Sequence, residues 1–185
     1  MFVPFYMQEY FNKAQIVDKE GQTRPLVAKE EKIVITGKTP ADFVSRGITP
    51  MQSASLLLIL VAGISIYGIR RGKTLWGIDL ILFLVAGMAG CILAFLALFS
   101  QHPAVSPNYI LFVFHPFHLF CLPFMLSRVR KREISRYMLV NFAVLTLFIG
   151  LWTIIPQRIP PAVLPLALCL LIRSASNLIL TYKRK

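Results

Sequence analysis

After residue 50 the chain is dominated by hydrocarbon. Five apolar stretches run from about Pro50 to Ile69, Leu75 to Phe99, Tyr109 to Leu126, Tyr137 to Ile155 and Ala162 to Leu180. Each comes near the roughly 20 residues that a helix needs to cross a hydrocarbon core about 30 Å thick. They are apolar nearly all round, whereas a helix on a soluble domain keeps a polar back. The expected fold is an all-α membrane protein, a bundle of five transmembrane helices behind a short N-terminal segment of mixed structure.

The net charge of +12 would suit a nucleic-acid-binding protein, but its placement argues against that class. Arg70, Arg71 and Lys73 follow the first stretch, and Arg128, Arg130, Lys131, Arg132 and Arg136 separate the third from the fourth. Lys183, Arg184 and Lys185 close the chain, while the loops Ser100–Asn108 and Pro156–Pro161 carry only Arg158. This alternation is the positive-inside pattern, which places the basic loops and the C-terminus in the cytoplasm. Residues 1–49 then lie outside it. The basic clusters read first as topology signals, with anionic lipid headgroups as natural neighbours and no nucleic acid as partner.

Local chemistry marks the span ends. In Thr49-Pro50-Met51-Gln52 the threonine can cap a helix, the proline suits its first position, and the glutamine can reach back to complete a capping box. Gly72 suits a left-handed helix stop. Tyr67, Trp76, Tyr109, Tyr137, Trp152 and Tyr182 sit near predicted boundaries, as an interfacial aromatic belt requires. Ala86, Gly90 and Ala94 recur every four residues and give the second span a smooth face for helix packing.

Residues 1–50 are different material, with seven Lys/Arg, six Asp/Glu and no membrane-length apolar run. Phe5 to Val17 is expected as a short amphipathic helix with Tyr6, Tyr10 and Ala14 along one side. Gln22–Val27 reads as extended around Pro25, Lys32–Thr36 as a short strand, and Thr39–Asp42 as a helical start. So few large aliphatic residues make a marginal core, so this piece reads as the end of a truncated domain. Met1-Phe2-Val3-Pro4 opens no signal peptide. The expectation is therefore that the chain is the C-terminal part of a larger envelope protein.

Charges in hydrocarbon are costly and turn inward to find partners. Asp79 in the second span and Arg173 in the fifth both fall in its cytoplasmic part, and a long arginine can reach toward the carboxylate. Asn141, Ser174 and Asn177 complete an expected polar cluster. A structural ion pair is preferred over a headgroup or hinge site there. His115 and His118 are expected on one face of the third span, which Pro116 and Pro123 should kink. Two imidazoles fall short of the three or four ligands of a usual metal site, so no metal is assigned and a packed polar pair is the better reading. His102, Asn108, Gln157 and Arg158 belong to the two outer loops, a rim where a lipid headgroup or an extracytoplasmic domain can dock.

Cys91, Cys121 and Cys169 all fall in spans, where apolar surroundings favour inert thiols. The sequence holds no phosphate-binding glycine loop, G-x-S-x-G or HExxH motif, and no cofactor is expected. No internal repeat supports a transporter of inverted halves.

Four stretches carry a family resemblance. They are PFYMQEYFNKAQIVDKEGQTRPLV, WGIDLILFLVAGMAGCILAFLALFSQHP, SPNYILFVFHPFHLF and IPQRIPPAVLPLALCLLIR, in order and over most of the chain. The sequence resembles the C-terminal portion of the bacterial domain-of-unknown-function family 4105, which includes the Bacteroides-type lipoprotein N-acyltransferase, Lnb. Such an enzyme moves an acyl chain from a lipid to the α-amino group of a lipidated cysteine. The resemblance implies a multi-pass inner-membrane module that anchors an extracytoplasmic domain and shapes lipid access, with lipids and lipoproteins as partners. The reacting groups are expected on that domain, so no catalytic residue is assigned and the chain alone is expected to be inactive. The alternative is a complete small polytopic membrane protein acting as an assembly partner or a transport element.

Overall fold

The computed structural model describes residues 10–18, 21–27, 47–100 and 107–183. The chain divides into two compact units, Met1–Arg46 and Gly47–Lys185.

In the first unit, residues 10–13 form a helical turn and the chain then turns into a hairpin. Strand β1 (Gln15–Val17) pairs antiparallel with β2 (Thr23–Pro25), with Ile16 opposite Arg24. The expected helix through Val17 is therefore wrong in its last turn. Asp18 is the cause. Its carboxylate accepts from the Gln22 amide at 2.9 Å, its carbonyl accepts from Gly21, and Gly21 adopts φ 81°. A side-chain-closed turn of this kind competes with helix and reverses the chain. The extended reading of Gln22–Val27 agrees with β2. Tyr6, Lys32–Thr36 and Thr39–Asp42 lie outside the described residues.

The second unit begins with α1 (Pro50–Arg71). Thr49 and Gln52 form the reciprocal capping box that the sequence calls for: the Gln52 amide donates to Thr49 Oγ1 at 3.2 Å and the Thr49 amide to Gln52 Oε1 at 2.9 Å. Gly72 closes the helix in the left-handed conformation at φ 62°, its amide donating to the Gly68 carbonyl. Helix α2 (Trp76–Phe99) follows after a four-residue connection. Both present large apolar residues outward, including Leu56, Ile59 and Ile66 on α1 and Ile81, Ile92 and Phe95 on α2. Exposed apolar faces of this extent, on helices long and apolar enough to cross a membrane, are those expected to meet lipid.

The third stretch corrects the expectation of one kinked span. A 3₁₀ turn (Tyr109–Phe112), α3 (Phe117–Phe120) and α4 (Leu122–Lys131) replace it, with a bend of 78° between 109–120 and 122–131. Each proline lacks an amide proton and clashes with the turn before it, so Pro116 and Pro123, seven residues apart, break the ladder twice. The fourth stretch is also shorter than expected. Helix α5 (Arg136–Gly150) has 15 residues, then passes through hydrogen-bonded turns at Leu151–Ile154 before Pro156. At 1.5 Å per residue it is about 22 Å long, less than a full hydrocarbon core. By length and composition α1, α2 and α6 (Val163–Tyr182) qualify as membrane spans, and the bent pair makes a fourth if counted as one.

Helix α6 is the column around which the others stand. It packs along α1 on one side and α5 on the other, and residues on every turn are buried. Helix α2 seats α3 on its small-residue face. A Cβ on Gly90 would fall 2.5 Å from the His115 carbonyl carbon, and one on Gly87 would fall 2.6 Å from the Leu119 amide. Backbone therefore touches backbone, which only glycine permits. Around this contact lies a core that includes Phe83, Ala86, Val113, Met125, Met138, Leu145 and Phe148. Ala94, the outer member of the expected stripe, is only half-buried.

Gly90→Ala is expected to lower stability by roughly 1–3 kcal/mol, because the obstacle is backbone and cannot rotate away. Gly63→Ala, whose Cβ would meet open space, should not. Melting of the two variants in detergent checks the difference.

Candidate functional site

Arg173 sits in the middle of α6 with no exposed surface, and Asp79 sits in the first turn of α2, equally buried. The guanidinium meets the carboxylate side-on: Nε donates to Oδ1 at 2.7 Å and Nη2 to Oδ2 at 3.1 Å. Nη2 also donates to the Thr74 carbonyl at 2.8 Å, and Nη1 to Ser65 Oγ at 3.0 Å. Asn177, one turn along α6, donates to Asp79 Oδ2 at 3.0 Å. One planar fork thus ties α1, the α1–α2 connection, α2 and α6 together, which a lysine could not do.

Asn141 and Ser174 form a separate link. Asn141 Nδ2 donates to Ser174 Oγ at 2.9 Å across the α5–α6 interface. No hydrogen bond joins this pair to the Arg173 network among the described residues. The five polar residues named from sequence therefore form two separate clusters, each anchored on α6. Ser65 and Thr74 are additions that sequence reading missed. Ser65 carries a weak signal as a buried hydroxyl in an apolar helix, whereas a backbone carbonyl such as that of Thr74 carries none.

The histidines form a second constellation, though not as neighbours on one helix. His115 precedes Pro116, outside α3, and its ring stacks on that of His118 with centroids 3.8 Å apart. His118 Nε2 lies 2.9 Å from the Val113 carbonyl, which can only accept, so Nε2 carries a proton there. Its Nδ1 lies 2.6 Å from the Tyr137 hydroxyl of α5. In the neutral imidazole, Nδ1 accepts from that hydroxyl. Phe83 of α2 packs edge-on against His118 with centroids 5.2 Å apart. The polar pair thus satisfies the carbonyl released by the broken helix and carries the contact on to α5. Tyr137, read from sequence as a belt residue, is half-buried and belongs to this cluster.

At the end of the bundle that carries the start of α1, Asn108 and Gln157 meet. Gln157 Oε1 accepts from the Tyr109 amide at 2.7 Å, and its Nε2 donates to Asn108 Oδ1 at 3.4 Å. Asn108 Oδ1 also caps the 3₁₀ turn by accepting from Ile110 at 3.2 Å. The two loops named from sequence as a rim are thereby joined. Arg158 is exposed beside them, and His102 lies outside the described residues. At the opposite end the basic loops meet as well: Arg130 stacks over Trp76 at 3.7 Å, and Arg132 donates to the Gly72 carbonyl.

Buried charge tying apolar helices together, a glycine seat for a broken helix and a split of basic from neutral loops describe a membrane domain. Residues 42–185 match the family model of the Lnb transmembrane domain, which names a five-helix membrane domain. The chain belongs to the Lnb transmembrane-domain family. No curated protein and no solved structure matches it. Within this Lnb-type domain, the Asp79–Arg173, Asn141–Ser174 and His118–Tyr137 bonds each join two helices.

Arg173→Leu is expected to destabilise the domain by about 3–5 kcal/mol, because Asp79 remains buried and unpaired. The double variant Asp79→Leu/Arg173→Leu should recover much of that loss. A charge swap should not, since it would turn a carboxylate toward the Thr74 carbonyl. Unfolding of the three variants in lipid–detergent mixtures checks the ranking.

Proposed function

We propose that the protein is the integral membrane module of a lipoprotein N-acyltransferase-like envelope protein, anchoring an extracytoplasmic domain and shaping the approach of lipid to it. The match of residues 42–185 to the Lnb transmembrane domain carries this reading. In it the chain crosses a bacterial inner membrane five times, the bent 109–131 segment and α5 with its following turns each counting as one crossing. The N-terminal segment lies outside and the C-terminus in the cytoplasm. The clustering of basic residues in the loops after α1 and α4 supports this orientation, as does the contact of those loops through Arg130, Trp76, Arg132 and Gly72.

The neutral rim then faces outward. Asn108 and Gln157, with Arg158 and His102 in the same loops, are the proposed docking surface for the extracytoplasmic domain or for lipid headgroups. The Asp79–Arg173 network is proposed as structural. Its donors and acceptors face each other rather than a cavity, and each guanidinium nitrogen is engaged. N-acylation requires a nucleophile or base within reach of both lipid substrates. That chemistry is assigned to the extracytoplasmic domain, and the helices supply the lipid-facing approach.

In a protein with its native cysteines replaced, Gly47→Cys should react with a membrane-impermeant maleimide on intact spheroplasts. Glu133→Cys should react only after lysis. The opposite labelling would reverse the orientation. In cells lacking lipoprotein N-acylation, the module expressed with a family extracytoplasmic domain should restore N-acylated lipoprotein termini by mass spectrometry, and the module alone should not. Restoration by these 185 residues alone would place the chemistry within the helices.

A further inference from the structure

The bend between α3 and α4 opens a cleft along α5. At its basic end lies a cavity of ≈ 1110 Å³ whose wall includes Arg128, Lys131, Glu133, Arg136 and Tyr137, three cations to one anion, together with Phe124 and Met125. A second cavity of ≈ 600 Å³ shares Cys121, Arg136 and Tyr137 with the first and continues between Phe112, Phe117 and Val144. A third of ≈ 270 Å³ shares Phe112 and Val144 with the second and ends at Leu151 and Ile155. The three follow one another along the whole of α5, charged at one end and hydrocarbon-lined beyond. At about 22 Å the track exceeds one leaflet's share of a core about 30 Å thick.

Charge decides what such a track can hold. Among the described residues of its wall the one acid, Glu133, is paired with Arg128 at 2.6 Å, and that pair is exposed enough to open at little cost. Arg136 has no ion-pair partner among the described residues and stands where the polar and apolar cavities join. An arginine fork binds a phosphate through two parallel hydrogen bonds. A hydrocarbon groove beginning at that fork, in a domain already surrounded by lipid, matches a molecule with an anionic phosphate at one end and an acyl chain at the other.

We propose that this cleft binds one anionic glycerophospholipid, with its phosphate at Arg128 and Arg136 and one acyl chain laid along Phe112, Phe117 and Val144. The bound lipid fills the space that the helix break opens and holds α4 against α5. The phosphate end of the site lies at the basic end of the domain, and the apolar track runs from it toward the Asn108–Gln157 rim. It rests on the cleft alone and does not depend on the acyltransferase reading.

Native mass spectrometry of the full chain tests it, after delipidation and reloading with phosphatidylglycerol or phosphatidylcholine of the same acyl chains. The expected result is one retained phosphatidylglycerol per chain, favoured over phosphatidylcholine. Arg128→Gln/Arg136→Gln should weaken that retention on the order of tenfold, as losing two headgroup-facing cations implies. Val144→Trp, which fills the groove and leaves every charge in place, should weaken it too. Arg70→Gln/Arg71→Gln, an equal charge loss on the other basic loop, should not. Equal retention of the two lipids would overturn the proposal in favour of a non-specific lipid shell. Full retention in Val144→Trp, or displacement by inorganic phosphate alone, would overturn it in favour of a bare phosphate site. If the glutamine variant fails to insert, Arg128→Lys/Arg136→Lys and Val144→Trp still decide: the lysine variant should retain the lipid preference and the tryptophan variant should lose it.

Discussion

One guanidinium holds the membrane domain in register. Arg173 reaches Ser65 on α1, Thr74 in the connection and Asp79 on α2, all from the centre of α6. Among apolar helices bathed in apolar lipid, burial distinguishes poorly between one rotation of a helix and another. A buried fork with four directed hydrogen bonds does distinguish them, because every other rotation leaves charge unsatisfied in a low-dielectric medium. Such a network adds more to uniqueness than to net stability, since removing two ions from water cancels much of their attraction. Its placement beside the first turn of α2 fixes the α1–α2 connection and leaves the other end of the bundle to be joined by Asn108 and Gln157.

The broken third segment depends on a different device. Irregular backbone inside a membrane is tolerated only where protein satisfies its polar groups. Here His118 takes the Val113 carbonyl, the glycine face of α2 admits the chain at backbone distance, and Tyr137 completes the imidazole's bonds. These contacts let Pro116 and Pro123 turn the chain through 78° rather than merely kink a helix. The bend leaves α4 splayed from α5, which creates the cleft.

Features set by neighbours in sequence were legible before the structure. The capping box at Thr49 and Gln52, the left-handed stop at Gly72 and the alternation of basic and neutral loops each depend on a few adjacent residues. So does the need of Asp79 and Arg173 for company, because an ion in a long apolar run is conspicuous. Legibility ended where several helices decide together. Whether two prolines kink or break a span depends on the glycines of another helix, and whether Tyr137 faces headgroups or an imidazole depends on where His118 is held. The hairpin at residues 15–25 has a local cause outside the helical pattern of Phe5–Val17: the Asp18 carboxylate and carbonyl close a turn onto Gln22 and Gly21.

The span of 94 residues between Asp79 and Arg173 has a consequence for synthesis. At about 5–20 residues per second, Asp79 is synthesised roughly 5–20 seconds before its arginine exists. During that interval the carboxylate must stay near the membrane surface, be protonated, or be sheltered by the insertion machinery. A chain interrupted before α6 would never resolve this state. The same bond that orders the finished bundle therefore marks an unfinished one, since an uncompensated acid in the membrane is a feature that cellular quality control can recognise.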